Sequence, residues 1–286
     1  MGRIVNFVKM NGLGNDYIYI DCFRENFTYD DALLYTQYLS NRNFSIGSDG
    51  LILIMPSNIA DAKMIMFNSD GSEGEMCGNG LRCVSKYIYE NTTIKKNILK
   101  IEISKRIVIA ELFIEKNIVK FVEVNMGSPI FNGLEIPTTI DKELILNEEI
   151  IFNNKKYLFT SISMGNPHTI IFLDNIDNLD IESIGRFIEH NKIFPNRTNV
   201  EFVEVLNKNE VKQRTWERGT GETLSCGSGA SAVCVAGFIS GRTNNKIKNY
   251  LKGGELYLRY EDNTVFMKGS ANYSFHGQID LDSIKI

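Results

Sequence analysis

Alternation of apolar and polar positions dominates the chain, and it predicts a protein built mostly from half-buried strands. In the first half the alternating or short apolar runs are Ile4–Val8, Tyr17–Cys22, Leu51–Met55, Lys63–Phe67, Leu99–Ser104, Ile107–Ile114 and Val119–Val124. The second half adds Tyr157–Ser163, Thr169–Leu173, Val200–Leu206, Val211–Trp216, Glu255–Tyr260 and Val265–Lys268. Helical spacing is rarer: Asp31–Leu39, a segment from Cys77 to about Glu90, Ile181–His190, and a segment from Cys226 to about Ser240, with Gly241 as its stop. Strand-rich halves with few helices predict an α+β fold, not repeated βαβ units. The long strand run ends near Asn125–Pro129, so the expected lobes are 1–125 and 126–271. The Lys-rich stretch Lys95–Arg106 keeps apolar residues between its charges and reads as a strand with one solvated face.

Comparing the halves adds a repeat. Ser72-Glu73-Gly-Glu-Met-Cys77-Gly78-Asn79-Gly80 is matched by Gly221-Glu222-Thr-Leu-Ser-Cys226-Gly227-Ser228-Gly229. Each has Glu four residues before Cys, then Cys-Gly-x-Gly, then an apolar helical pattern. Upstream, each has a strand closing on a polar residue and a small-residue turn: Asn68 before Ser69-Asp70-Gly71, and Glu217 before Gly219-Thr220-Gly221. One occurrence per half is the mark of a duplicated unit.

Cys-Gly-x-Gly at a helix start has a specific physical meaning. The first turn of a helix presents unpaired N–H groups and about half a positive charge, which favours a thiolate and binds a carboxylate. Glycines let the backbone approach a ligand closely. Two such motifs are expected to clamp one carboxylate and set a sulfur on each face of the carbon beside it, the arrangement of a two-base racemase. Glu73 and Glu222 are expected to support the helix starts through charge.

Composition narrows the chemistry. A formal net charge of -4 over 286 residues gives no basic footprint for nucleic acid. The N-terminal stretch alternates instead of forming a signal-peptide core, and no apolar run reaches the ~20 residues that span a bilayer. A cytoplasmic protein with a small-molecule partner is expected, with no nucleic acid and no membrane. Five cysteines at irregular spacing read as free thiols. Cys22, Cys83 and Cys234 are expected to pack in the core. With no C-x-x-C pair and three histidines, no metal site is expected. Gly227-Ser-Gly229-Ala-Ser-Ala232 fits a dinucleotide fingerprint in letters but lacks the preceding strand and the βαβ context.

Several blocks in order, Asn11-Gly-Leu-Gly-Asn15-Asp16, Phe67-Asn68 through Cys77-Gly78-Asn79-Gly80 with Arg82, Met164-Gly-Asn166-Pro167-His168, Pro195 through Asn199-Val-Glu-Phe202, and Glu217-Arg218-Gly219 through Cys226-Gly227-Ser228-Gly229, resemble the diaminopimelate epimerases. These are pyridoxal-phosphate-independent amino-acid epimerases. The resemblance spans nearly the whole chain. It implies two similar pseudo-symmetric lobes, each a strongly curved, mostly antiparallel sheet around a central helix, with the active site in the cleft between them. It also implies that the tail, 272–286, returns to the first lobe, and that no cofactor is used.

By the same resemblance, Cys77 and Cys226 are the acid/base pair, and Gly78, Asn79, Gly227 and Ser228 bind the reacting carboxylate. Glu217 contacts the substrate amino group, His168 lies near the reacting centre, and Asn15, Asn68, Asn166, Asn199 and Arg218 line the pocket. A guanidinium at Arg218 suits a distal carboxylate because it offers two parallel hydrogen bonds. Diaminopimelate is the implied substrate, in lysine and peptidoglycan precursor synthesis. Lanthionine, or another free amino acid such as histidine, remains open, as does an unreactive amino-acid-binding protein. A homodimer is compatible with the family but nothing in the chain specifies it. Two positions depart from the pattern: Asn11 stands where many members have His, and Gly50 where some have a pocket-side Gln.

Overall fold

The computed structural model describes residues 2–74, 77–104 and 106–284. It divides into two compact units, Met1–Val124 with Gly269–Ile286, and Asn125–Lys268. Unit 1 contains β1 (Ile4–Gly12), β2 (Asn15–Asp21), α1 (Tyr29–Ser40), β3 (Gly50–Met55), β4 (Ala62–Asn68), β5 (Glu73–Gly74), α2 (Gly78–Asn91), β6 (Ile98–Ile103), β7 (Arg106–Glu115) and β8 (Ile118–Gly127). Unit 2 contains β9 (Ile145–Phe152), β10 (Lys155–Ser163), β11 (Pro167–Leu173), α3 (Ile181–Glu189), β12 (Asn199–Asn207), β13 (Glu210–Glu217), β14 (Gly221–Thr223), α4 (Gly227–Ile239), β15 (Lys246–Leu251), β16 (Gly254–Glu261) and β17 (Thr264–Gly269). The last strand, β18 (Asn272–Asp280), pairs antiparallel with β1 and so completes unit 1.

With β18 counted first, the two units share one pairing scheme. Unit 1 runs β18-β1-β2, then β2 parallel to β3, then β3-β4, with β5 hairpinned on β4, then β4 parallel to β6, then β6-β7-β8. Unit 2 repeats it as β9-β10-β11, β11 parallel to β12, β12-β13 with β14, β13 parallel to β15, and β15-β16-β17. The parallel joins fall where a helix crosses over between strands, and the antiparallel joins link strands consecutive in the chain, except for β18–β1, which brings the last strand to the first. This is the α+β, mostly antiparallel architecture expected, and it holds in both halves.

Each sheet has two covered faces. α4 is apolar all round, with Ala230, Ala232, Val233, Cys234, Val235 and Ala236 fully buried, as befits a helix enclosed by its sheet. It touches β10, β11, β12, β15 and β16, and α2 likewise touches β1, β2 and β7, so each sheet curves around its helix. The other face is closed by the outer helices. In unit 1, Val5, Phe7, Ile18, Ile20, Leu51, Leu53 and Phe67 pack on Ala32 and Leu39 of α1. In unit 2, Ile171, Val200, Phe202 and Trp216 pack on Ile181, Ile184 and Ile188 of α3. Double coverage explains why β3 reads as the unbroken apolar run Leu51–Met55. Cys83 and Cys234 are fully buried in α2 and α4, and Cys22 lies half-buried beyond β2. Gly241 follows the α4 cap residue Ser240 with φ 69°, the left-handed turn that ends a helix.

Five strands, β5, β9, β14, β15 and β18, carry too little alternation to be read from the pattern of apolar and polar positions. β15, KIKNYL, buries Asn249, whose amide donates to Gln213 Oε1 at 2.5 Å. A polar residue in a core position hides the strand pattern. Among the described residues no helix is long and apolar enough to cross a membrane.

Candidate active site

Both repeated cysteines occupy the N-cap position of a buried helix. Cys77 has φ -129° and ψ 107°, and its sulfur accepts the Gly80 N–H at 3.2 Å; Cys226 has φ -122° and ψ 110° and accepts from Gly229 at 3.3 Å. A sulfur thus stands where Ser or Asp usually caps, because an extended residue before the first turn aims its side chain at the free N–H groups. The cap has its own consequence for Glu73 and Glu222. They do not support the helix starts, because the hairpin turn carries each back alongside its strand. Glu73 accepts from the Tyr29 hydroxyl at 2.6 Å, and Glu222 pairs with Arg214 and Lys252, both at 2.8 Å.

In unit 1, Asn15 at the start of β2 joins the motif: its Oδ1 lies 3.3 Å from the Cys77 sulfur and 3.3 Å from Asn79 Nδ2. Asn79 and Gly78 are buried in the first turn of α2. Asn68 closes β4 opposite Gly50, and its amide donates to Ser72 Oγ at 3.0 Å. Gly50 is held by its backbone: φ is 158°, and a Cβ there would lie 2.0 Å from the Phe67 carbonyl oxygen. A Gln at this position therefore needs a different local backbone. Asn11, the other departure, donates to Ser274 Oγ at 3.3 Å on the closing strand.

In unit 2, the Asn166-Pro-His168 block opens β11 beside Asn199 of β12. His168 is fully buried, with Nδ1 2.8 Å from Glu201 Oε1 and Nε2 2.9 Å from Asn166 Oδ1. Asn199 is held at both ends, donating to the Pro167 carbonyl at 2.8 Å and accepting the Arg218 N–H at 2.9 Å. Glu217 accepts the Thr223 hydroxyl at 2.5 Å, and Ser228 Oγ lies 3.5 Å from the Cys226 sulfur. Gly227 is buried in the first turn of α4. Arg218 is exposed, and its guanidinium donates to the Asn196 carbonyl at 3.1 Å. An open surface cavity of about 840 Å³, lined by Arg186, His190, Arg197, Trp216 and Thr220 among others, lies in unit 2 and has no thiol in its wall.

The electrostatics correct one expectation. Helix position alone predicts an acidic thiol, yet both thiols are held above their ordinary pKa because burial penalises the thiolate more than the N–H groups favour it. The causes differ beyond burial. For Cys77 the remaining influences lower the pKa: the Gly80 N–H, the Tyr17 hydroxyl and the Arg82 guanidinium. For Cys226 the next two are the carboxylates of Glu217 and Glu201, both raising it, and the result is a pKa pushed well up.

Three residues in these surroundings were not singled out from the sequence: Tyr17, Arg82 as a charge near Cys77, and Glu201. Glu201 had a signal. In β12 it sits between Val200 and Phe202, which face α3, so its own side chain must point toward α4. A carboxylate in the register of a core position is costly unless it has a task or a partner.

The chain matches the family model described as diaminopimelate epimerase over residues 7–132 and 160–274. It is 63% identical over 277 residues to a diaminopimelate epimerase of Brachyspira hyodysenteriae, covering 97% of this chain and 99% of the relative. A diaminopimelate epimerase of Methanococcus maripaludis is 46% identical over 279 residues, with 97% and 100% covered. Among solved structures, a hydroxyproline epimerase from Agrobacterium vitis superposes with TM-score 0.70 at 14% identity, covering 99% of this chain and 95% of that one. A phenazine biosynthesis protein of the PhzF family from Bacillus anthracis gives 0.68 at 15% identity, covering 96% and 99%. At such identities these two speak for the fold alone.

Proposed function

Because the chain belongs to the diaminopimelate epimerase family, we propose that it interconverts LL- and meso-2,6-diaminopimelate by proton exchange at one α-carbon, with Cys77 and Cys226 as its two acid/base groups. The observation that carries this reading is the duplicated N-cap: two thiols, each accepting from the N–H of the third residue on, each at the start of the central helix of its unit. One sulfur, as thiolate, takes the α-proton; the electron pair left on carbon is delocalised into the adjacent carboxylate; the other thiol returns a proton to the opposite face. The enzyme ends with the two sulfurs in exchanged protonation states, so the reverse reaction starts from the product form.

No step here draws on a cofactor, so stabilisation of the carbanion falls to preorganised donors. The first turns of α2 and α4, at Gly78, Asn79, Gly227 and Ser228, present backbone N–H groups and the positive end of a helix dipole, which suit the reacting carboxylate. Glu217 suits the substrate ammonium by charge. Asn15, Asn68, Asn166, Asn199 and Arg218 are assigned to the distal, non-reacting amino-acid group, where the guanidinium pairs with the carboxylate and the neutral amides add hydrogen bonds without bringing further charges to dehydrate. The raised thiol pKa values support a site that ionises one sulfur only when substrate brings its own charges in.

The test is incubation with LL-diaminopimelate in deuterated water without pyridoxal phosphate, with lanthionine and histidine in parallel. Meso product carrying one α-deuterium is expected from diaminopimelate. Exchange confined to lanthionine or histidine transfers the reading to that substrate, and absence of exchange with all three overturns it. The homodimer and a cytoplasmic location stay with the proposal, to be checked by sedimentation and by cell fractionation.

A further inference from the structure

We propose that Glu201 is a positioning residue for the Cys226 half-site: it fixes the ring of His168 through Nδ1 and holds negative charge beside the helix start, so that Cys226 rests as the proton-bearing thiol. This rests on the reading of Cys226 as an acid/base group. The geometry is built entirely within unit 2. A ring nitrogen of His168, a carboxylate oxygen of Glu201 and the Cys226 sulfur lie within 4.8 Å of one another, all buried. Glu201 is fully buried; Oε1 meets His168 Nδ1 at 2.8 Å, and Oε2 has no hydrogen-bond partner among the described residues. A half-satisfied buried carboxylate costs stability, so its retention calls for a task.

Room for that carboxylate is made by Gly229. A Cβ at Gly229 would lie 2.4 Å from Glu201 Oε1 and 3.2 Å from the Cys226 sulfur. The equivalent glycine of unit 1, Gly80, faces an apolar group: its Cβ would lie 2.7 Å from Ile52 Cδ1. Strand register makes the same equation. Ile52 stands opposite Met66 in β3–β4 as Glu201 stands opposite Thr215 in β12–β13, and Tyr17 of β2 takes the place of His168 of β11. The imidazole–carboxylate pair therefore belongs to one thiol and not the other. Among the described residues, the charged and titratable groups facing Cys226 are His168 from β11, Glu201 from β12 and Glu217 from the end of β13. Both carboxylates push the thiol up.

Two variants and two readouts test it. In Glu201→Gln the amide oxygen still accepts from His168 Nδ1 while the charge is gone; Glu201→Ala removes both. Alkylation by iodoacetamide, followed against pH and resolved by peptide mass for each cysteine, reads the thiols without needing turnover. For Glu201→Gln the Cys226 curve is expected to move to lower pH by about one unit, since a nearby negative charge disfavours the thiolate, while the Cys77 curve stays in place. In the exchange assay, Glu201→Ala is expected to lose about 100-fold in kcat with KM little changed. Glu201→Gln should recover at least tenfold of that loss, with its optimum displaced to lower pH. A Cys226 curve that does not move, or that moves together with Cys77, overturns the proposal, as does Glu201→Gln with a wild-type pH profile. If the wild-type enzyme exchanges no α-proton, the functional reading fails, and the alkylation curves still decide the role of Glu201.

Discussion

The two units have one topology and opposite chemistry around their thiols. Cys77 lies near the guanidinium of Arg82 and the hydroxyl of Tyr17, whereas Cys226 lies near the carboxylates of Glu201 and Glu217 and the imidazole of His168. Strand register, helix start and cap geometry agree between them. Around the thiols, what differs is the side chains: Ile52 and Tyr17 of the sheet stand where Glu201 and His168 do, Arg82 comes from the central helix α2, and Glu217 ends β13. Duplication supplied two equivalent sulfurs, and substitution at these positions made them inequivalent. A reaction that starts from an L centre on one face and a D centre on the other has use for that inequality, because one sulfur must begin as base and the other as acid.

The comparison can be broken at its strongest point first. Cys77→Ala and Cys226→Ala should each lower epimerisation by ~10³-fold or more, the scale expected when a required acid or base is removed. Near-wild-type turnover in either variant ends the two-thiol scheme.

Next come the glycines behind the sulfurs. Gly229→Ala puts a methyl group against the Glu201 carboxylate and the sulfur, whereas Gly80→Ala meets the mobile end of Ile52. Gly229→Ala should cut kcat by about tenfold or more, and Gly80→Ala should cost ~1–2 kcal/mol of stability with a smaller kinetic effect. Equal kinetic losses in the two would contradict the asymmetry.

A smaller effect sharpens the sign. Arg82→Met removes a positive charge from the Cys77 side, so the Cys77 alkylation curve should move to higher pH by about half a unit to one unit. That is opposite to the shift expected at Cys226 in Glu201→Gln. A downward or absent shift at Cys77, in protein whose circular dichroism is unchanged, would count against a charge role for Arg82.

The smallest expected difference lies away from the thiols, at the outer helices. α1 begins with a capping box, Thr28 with Asp31, and Asp31 also pairs with Arg3 at 2.6 Å; α3 is capped by Asp180 alone. The Arg3 hydrogen bond first, then those from Thr28, holds the Asp31 carboxyl down at about 2, against the opposing effect of burial. A pKa below the unfolded value means stabilisation that is complete above the ordinary carboxylate range near 3.8 and is lost as pH falls through about 2. Asp31→Asn should therefore lower stability by ~1 kcal/mol at neutral pH, as for a lost capping interaction, and by only a fraction of that near pH 2. Urea unfolding at both pH values checks it; a difference that persists undiminished in acid removes the charge from the account.

Much of this was legible without coordinates. The longer strands that lead into the motifs, β4 and β13, the four helices and the Cys-Gly-x-Gly repeat follow from periodicity and from glycine placement, which act over a few residues. Strands such as β15 were not legible, since a buried Asn249 interrupts the alternation that marks a strand. Glu201 was visible as a letter but not as a site residue. Its meaning depends on which strand lies beside it, and therefore on the register between β11, β12 and β13.

By itself, then, the sequence determined the local matters: two matched thiols, each set at a helix start by the residues immediately around it. The tertiary structure decided three others. It gave β18 to β1, an edge pairing made by backbone hydrogen bonds that a mostly exposed, polar strand does not announce. It reversed the sign expected for the thiols, because desolvation depends on everything packed around a group and not on its neighbours in sequence. And it placed a carboxylate pair beside one sulfur and a guanidinium beside the other, since charges distant along the chain meet only when strands fix their register.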